Sequence, residues 1–296
     1  MTMDRLLFGD NQFFGVNHMS EEKARSQAMR FQSLDAVMSV LDSAYDAGVT
    51  TFMCTTHDRI AEVTERMRKE PARYAEQVFY PCMPYAHKYA NAMAESGMIG
   101  SIRQFLPDEG FFDAAMRGGK SLAKKDIEGL TTLLIDAEMK MFEGLKTPVI
   151  FLQNVVVDLL LGLGFTEAFR IFADHVKARY GAEPGFITMN LPKLLDALDE
   201  VGVHNPIVCS NINKIGFRMC GGVDAYVDAM TNREFRAVAM SVYASGAIPP
   251  AEAIEWVAQL PNLKSIVFGA SSRSNIESTV ELVGRYWLAE GLKEGS

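Results

Sequence analysis

Cysteine and tryptophan are scarce in this chain, with four and two copies in 296 residues. Cys54, Cys82, Cys209 and Cys220 are scattered and form no CxxC pair, which excludes a disulfide framework and leaves reduced thiols in a cytoplasm as the expected setting. Positive charge is also short. Lys and Arg total 29 against 37 Asp and Glu, a net charge of -8. Nucleic acid and anionic membranes need a basic footprint, so neither is an expected partner, although a local pocket for a small phosphate stays open. Long apolar runs are missing as well. The longest, 149–165, is broken by Gln153, Asn154 and Asp158 and falls short of the roughly 20 residues a bilayer requires. Residues 1–9 lack the basic and apolar segments of a signal peptide.

What remains is a globular composition, 48% hydrophobic and 22% charged, able to bury a large core. At roughly 150 residues per domain the length admits two domains, and it equally fits one α/β barrel of about 250 residues with an insertion. The patterning decides for the barrel. Short apolar runs alternate with amphipathic stretches about eight times, the signature of βα units on a parallel sheet. The strands are expected at 5–9, 50–54, 78–82, 149–157, 186–190, 206–210, 236–243 and 265–268. Helices are expected at 33–47, 60–76, 121–145, 166–180, 192–200 and 276–289, the first with Ser33 as N-cap and Gly48 as its stop. The fold class is therefore a single (β/α)8 TIM barrel spanning 1–296. Residues 87–119, rich in glycine and on the outgoing side of the third strand, form a helical insertion that would lie over the mouth as a lid.

Function in such a barrel sits at the C-terminal strand ends. Those ends are polar here: Asp10, Asn11 and Gln12; Thr55, Thr56, His57 and Asp58; Tyr85 and His87; Gln153 and Asn154; Thr188 and Asn190; Ser210, Asn211, Asn213 and Lys214; Ser241, Tyr243 and Ser245. The clearest motif runs from Gly269 through Ser271, Ser272 and Arg273 to Asn275, between an apolar strand and a helix. Glycine allows close approach, the first-turn N–H groups and the helix dipole attract an anion, and the hydroxyls and guanidinium add donors. This predicts a phosphate-binding loop, with Ser245 as its neighbour. Capping of the last helix by Ser272 or Ser274 is the plainer alternative.

Several ordered stretches resemble the aldo/keto reductases, NADP-dependent barrel enzymes: residues 46–52, 186–190, 210–218, 239–246 and 266–276. The resemblance implies that Thr188, Asn211, Ser245, Gly269, Ser271, Ser272, Arg273 and Asn275 line a site for NADP. It departs at the reactive cluster. That family uses an Asp, Tyr, Lys and His. Here the Asp position reads Met53, Asp58 stands in place of the Tyr, the Lys position falls near Met83, and the His position near Asn154. A tyrosine acid leans on a neighbouring lysine to lower its pKa, so another group must donate the proton, with His57, Tyr85 and His87 as candidates and Asp58 beside them.

The preferred expectation is thus an oxidoreductase acting on a small polar or carbohydrate-like carbonyl compound. A lyase, aldolase or isomerase on a phosphorylated substrate is the alternative, with Lys214 as Schiff-base nucleophile if a desolvated mouth lowers its pKa. A divalent metal on His18, His57, Asp58 and His87 lacks a supporting ligand spacing. A barrel that binds a ligand without turnover completes the set, and apolar outer helices could pair with a second subunit.

Overall fold

In the computed structural model, residues 2–15, 21–85 and 124–287 are described. The proposed insertion at 87–119, including His87, and the alternative metal ligand His18 lie outside them.

Eight parallel strands close into a barrel in sequence order: β1 (Leu6–Phe8), β2 (Thr51–Thr55), β3 (Val78–Met83), β4 (Val149–Leu152), β5 (Glu183–Thr188), β6 (Ile207–Asn211), β7 (Arg236–Met240) and β8 (Leu263–Phe268). The (β/α)8 expectation holds. Closure occurs where β1 pairs with β8, Leu7 against Val267. Alternation along each strand divides the apolar residues into two layers. Leu7, Met53, Tyr80, Phe151, Ile187, Cys209 and Val238 belong to the inner cluster. Phe8, Phe52, Phe79, Ile150, Phe186, Val208 and Ile266, one residue out of phase, join the cluster shared with the helices.

The surrounding helices are α1 (Glu21–Arg30), α2 (Leu34–Asp46), α3 (Asp58–Lys69), α4 (Lys124–Met139), α5 (Asn154–Leu163), α6 (Glu167–His175), α7 (Leu191–Glu200), α8 (Gly222–Asn232), α9 (Pro250–Ala258) and α10 (Arg273–Tyr286). Ser33 caps α2 through its side chain, as its sequence position predicts. No helix among the described residues is long and apolar enough to cross a membrane.

Several boundaries differ from the sequence reading, and two of them have a clear packing cause. β4 ends at Leu152, and the β-branched run that follows is helical, because Val157 and Leu161, four residues apart, share the buried face of α5. β5 begins three residues earlier than expected. Pro184 and Gly185 resemble a turn, yet a Cβ at Gly185 would stand 2.4 Å from the Phe151 ring, so the glycine makes room inside the barrel for that side chain.

Candidate active site

The β7 and β8 loops enclose a cavity of about 660 Å³, lined by Asn11, Ser241, Tyr243, Ser245, Gly246 and Gly269 among others. Its β7 wall is conformationally strained. Ser241, Ala244 and Ser245 have φ of 55°, 45° and 57°, the left-handed region that side chains with a Cβ disfavour. Such strain persists only where the surroundings enforce it, and here it turns the exposed Ser245 to the rim.

On the opposite wall Gly269 is required for a reason the motif does not disclose. A Cβ there would lie 2.3 Å from Gln12 Oε1. The Gln12 amide is buried, and its Nε2 donates to Gly9 O at 2.8 Å. Glycine therefore accommodates a protein side chain at the β1/β8 seam while also bordering the cavity. Beyond it Ser272 is the N-cap of α10, its Oγ accepting from Asn275 N at 3.4 Å and standing 3.3 Å from Ser274 Oγ. Arg273 is exposed, and its Nε pairs with Glu277 at 2.7 Å. The turn thus combines a capped helix start with a guanidinium at the rim.

At the ends of β5 and β6 the predicted cofactor residues are engaged by protein. Thr188 Oγ1 donates to Asp158 Oδ1 at 2.6 Å, and Asn211 Nδ2 donates to Arg218 O at 3.1 Å; both residues are fully buried. Asn213 closes the following loop through both ends of its amide, to Phe217 N and Phe217 O. Lys214 is half exposed and paired with Glu252 at 2.7 Å. That solvated ion pair is the reverse of the desolvated setting a Schiff-base lysine needs.

The ends of β1, β2 and β3 carry the ionisable cluster. His57 is the N-cap of α3: its Nδ1 accepts the Arg59 amide at 2.9 Å, which leaves Nε2 as the protonated nitrogen of the neutral ring. The imidazole stacks on Phe14 with centroids 4.2 Å apart and meets the Tyr85 ring edge-on at 5.4 Å. Asp58 opens α3 in the next position. Burial, reinforced by Asp10 and Asp58, pushes the Tyr85 phenol up, opposite to the effect a neighbouring lysine would have. Buried Glu138 of α4 accepts from Thr56 Oγ1 and, at 3.1–3.2 Å, from Tyr85 N, so α4 ties the β2 and β3 loops together. Asp10, at the end of β1, is buried and its Oδ2 accepts both Thr55 N and Thr55 Oγ1 at 2.7 Å. Burial raises its carboxyl to about 6 against the restraining bonds from Thr55.

His57, Asp58 and Tyr85 are therefore brought to one side of the mouth, and Ser245 and Gly269 to another. Lys214 sits apart. Two residues gain a role only from the structure, Asp10, which the sequence shows merely as a strand-end residue, and Glu138. Asp10 had a signal in its place directly after a strand, but its partner is 45 residues away; Glu138 lies mid-helix and had none. Among the described residues no group of three or more His, Cys, Asp or Glu could hold a metal ion.

No family model matches the sequence, and no curated protein matches it. Solved structures do. A Pseudomonas aeruginosa protein provisionally described as an aldo-keto reductase superposes with a TM-score of 0.60 at 12% identity, over 96% of this chain and 91% of its own. An aldo/keto reductase from Brucella melitensis gives 0.54 at 11% identity, over 96% and 92%. A thermostable aldo-keto reductase solved with the inhibitor epalrestat gives 0.58 at 11% identity, over 95% and 90%.

Proposed function

From a chain that carries the barrel fold of the aldo-keto reductases, we infer that it is an NADP-dependent oxidoreductase acting on a small polar carbonyl compound. The observation that supports this reading best is the cavity between the β7 and β8 loops, bordered by Ser245 and Gly269 at the foot of α10. Its volume suits a small ligand or part of a cofactor. The donor set suits a phosphate: first-turn amides of a ten-residue or longer helix, the hydroxyls of Ser245 and Ser271, and the Arg273 fork at the rim. Arg273, with one exposed partner on its own helix, is able to exchange Glu277 for an anion.

Bound there, the dinucleotide would supply a hydride. The chain's own residues would do the rest. Tyr85, whose phenol burial keeps protonated, and His57 would turn their O–H and N–H toward a bound carbonyl oxygen, polarising it. Phe14 and Tyr85 hold the imidazole against rotation, and Glu138 holds the Tyr85 backbone. Among the described residues no cation lowers the phenol as in the family's usual arrangement, so the tyrosine orients more than it ionises.

The experiment is a titration of the purified protein with NADPH, followed by nicotinamide fluorescence. Saturable binding is expected, weakened on the order of tenfold in Arg273→Glu. The variant should discriminate less against NADH. Absence of NADPH binding to the wild-type chain overturns the reading.

A further inference from the structure

We propose that Asp10, clamped by Thr55 at the end of β1, is the catalytic residue that passes a proton to the substrate oxygen, in place of the family's tyrosine and lysine, whose positions here read Asp58 and fall near Met83. This rests on the oxidoreductase reading above and assigns its missing acid.

The geometry is that of a held, half-engaged carboxyl. Both recorded hydrogen bonds, from Thr55 N and Thr55 Oγ1, end on Oδ2 at 2.7 Å. Asp10's own amide adds a further restraint on the carboxyl, and the exchanging proton is assigned to Oδ1, the oxygen Thr55 does not hold. The fixed Oδ2 orients the group, because two donors from one residue leave little freedom of rotation. Asp10 also precedes the short 3-10 turn Asn11–Phe14 without capping it. Its side chain crosses to β2 instead of serving its own helix, so local structure does not account for it. The neighbouring residue, Asn11, lines the cavity beneath the β7 and β8 loops, while the Tyr85 phenol registers the Asp10 charge from the β3 side. Asp10 is thus next in the chain to a cavity-lining residue and close enough to the Tyr85 phenol to act on it.

Its electrostatic surroundings favour the acid form. The ionisable groups facing Asp10 are Cys54 on β2, Cys82 on β3 and Tyr85 beyond β3, all raised by burial and hence neutral. Among the described residues no Lys, Arg or His pairs with it. A carboxyl in that setting is protonated in a substantial fraction near pH 6, closer to neutrality than an ordinary carboxyl, as a general acid requires. In the step, the Oδ1–H bond breaks as the substrate oxygen, left with an electron pair by reduction at its carbon, forms its own O–H bond. Asp10 becomes a carboxylate stabilised by its two Thr55 donors and is reprotonated from solvent after product leaves.

The test combines turnover with a direct titration. Protein labelled with 13C at aspartate carboxyls is titrated by NMR, the Asp10 signal being the one lost in Asp10→Asn. Reduction of glyceraldehyde by NADPH is measured across pH with wild type, Asp10→Asn and Thr55→Val. The proposal expects the Asp10 carboxyl to titrate near 6. Asp10→Asn should bind NADPH as wild type does and lose at least on the order of 100-fold in kcat. Thr55→Val, which removes a donor that favours the carboxylate, should move both the titration and the alkaline fall of kcat to higher pH. A merely structural Thr55 would leave that profile in place. An Asp10 signal at the ordinary carboxylate value, or full turnover by Asp10→Asn, overturns the proposal with the NADP reading intact. Wild type that does not bind NADPH overturns the reading itself and the role of Asp10 with it.

Discussion

A carboxylate buried with no cation beside it among the described residues costs folding free energy, and Asp10 makes that cost measurable. Its folded value of about 6 lies above the ordinary 3.8, so the unfolded chain releases this proton first as pH rises. The protonated carboxyl is tolerated below about pH 4, and stability is then lost progressively until pH passes about 6, by a total on the order of 3 kcal/mol. Asp10→Asn should therefore unfold at higher urea concentration than wild type at about pH 8, and show little advantage at about pH 4. Equal midpoints at both pH values would contradict the burial argument. Gly269 sets a second residue-scale test. Alanine there must displace the pinned Gln12 amide and should cost about 1–3 kcal/mol. Gln12→Ala in the same chain should recover part of that loss, because the two changes share one contact. Gly269 could be recognised in the sequence as a special position, but its reason could not, since Gln12 approaches it from the far end of the chain. Asp10 was visible as a strand-end residue. Its bond to Thr55 depends on the closure of the sheet and has no local signature.

Element boundaries were legible where local and tertiary preferences agreed. Ser33 and the buried face of α2 are such a case. The Val155, Val156, Val157 run was not, because the need to bury Val157 and Leu161 overrode β propensity and placed Val155, Leu159 and Leu163 on the outside of α5. These exposed positions predict tolerance: Leu159→Gln should change stability by no more than about 0.5 kcal/mol. Gly185 in β5 predicts the opposite. A methyl there meets the Phe151 ring in a barrel whose interior has no slack, and Gly185→Ala should destabilise by about 1–3 kcal/mol, read from the urea midpoint. At the β8–α10 junction both meanings of the Ser-Ser-Arg motif coexist: Ser272 does cap the helix, and the same helix start is the feature an anion would use.

At the scale of the whole molecule, the repeated alternation of apolar runs and amphipathic stretches sufficed to specify a closed eight-stranded barrel, since parallel strands buried on both faces have few other solutions. The two-sided mouth was harder to foresee. Cofactor-type residues gather around the β7 and β8 loops, whereas the ionisable residues gather around β1 to β3, and only barrel closure through the β1–β8 pairing brings Asn11 and Gly269 to one cavity. Thr188 and Asn211, expected at the cofactor, lie opposite this seam and bond to protein. The central claim is that a dinucleotide settles on the β7–β8 side of this mouth. Amide hydrogen exchange with and without saturating NADPH tests it most directly. Protection concentrated in residues 241–249 and 269–276 is the predicted result; unchanged exchange in both segments, or protection confined to other strand ends, would contradict it.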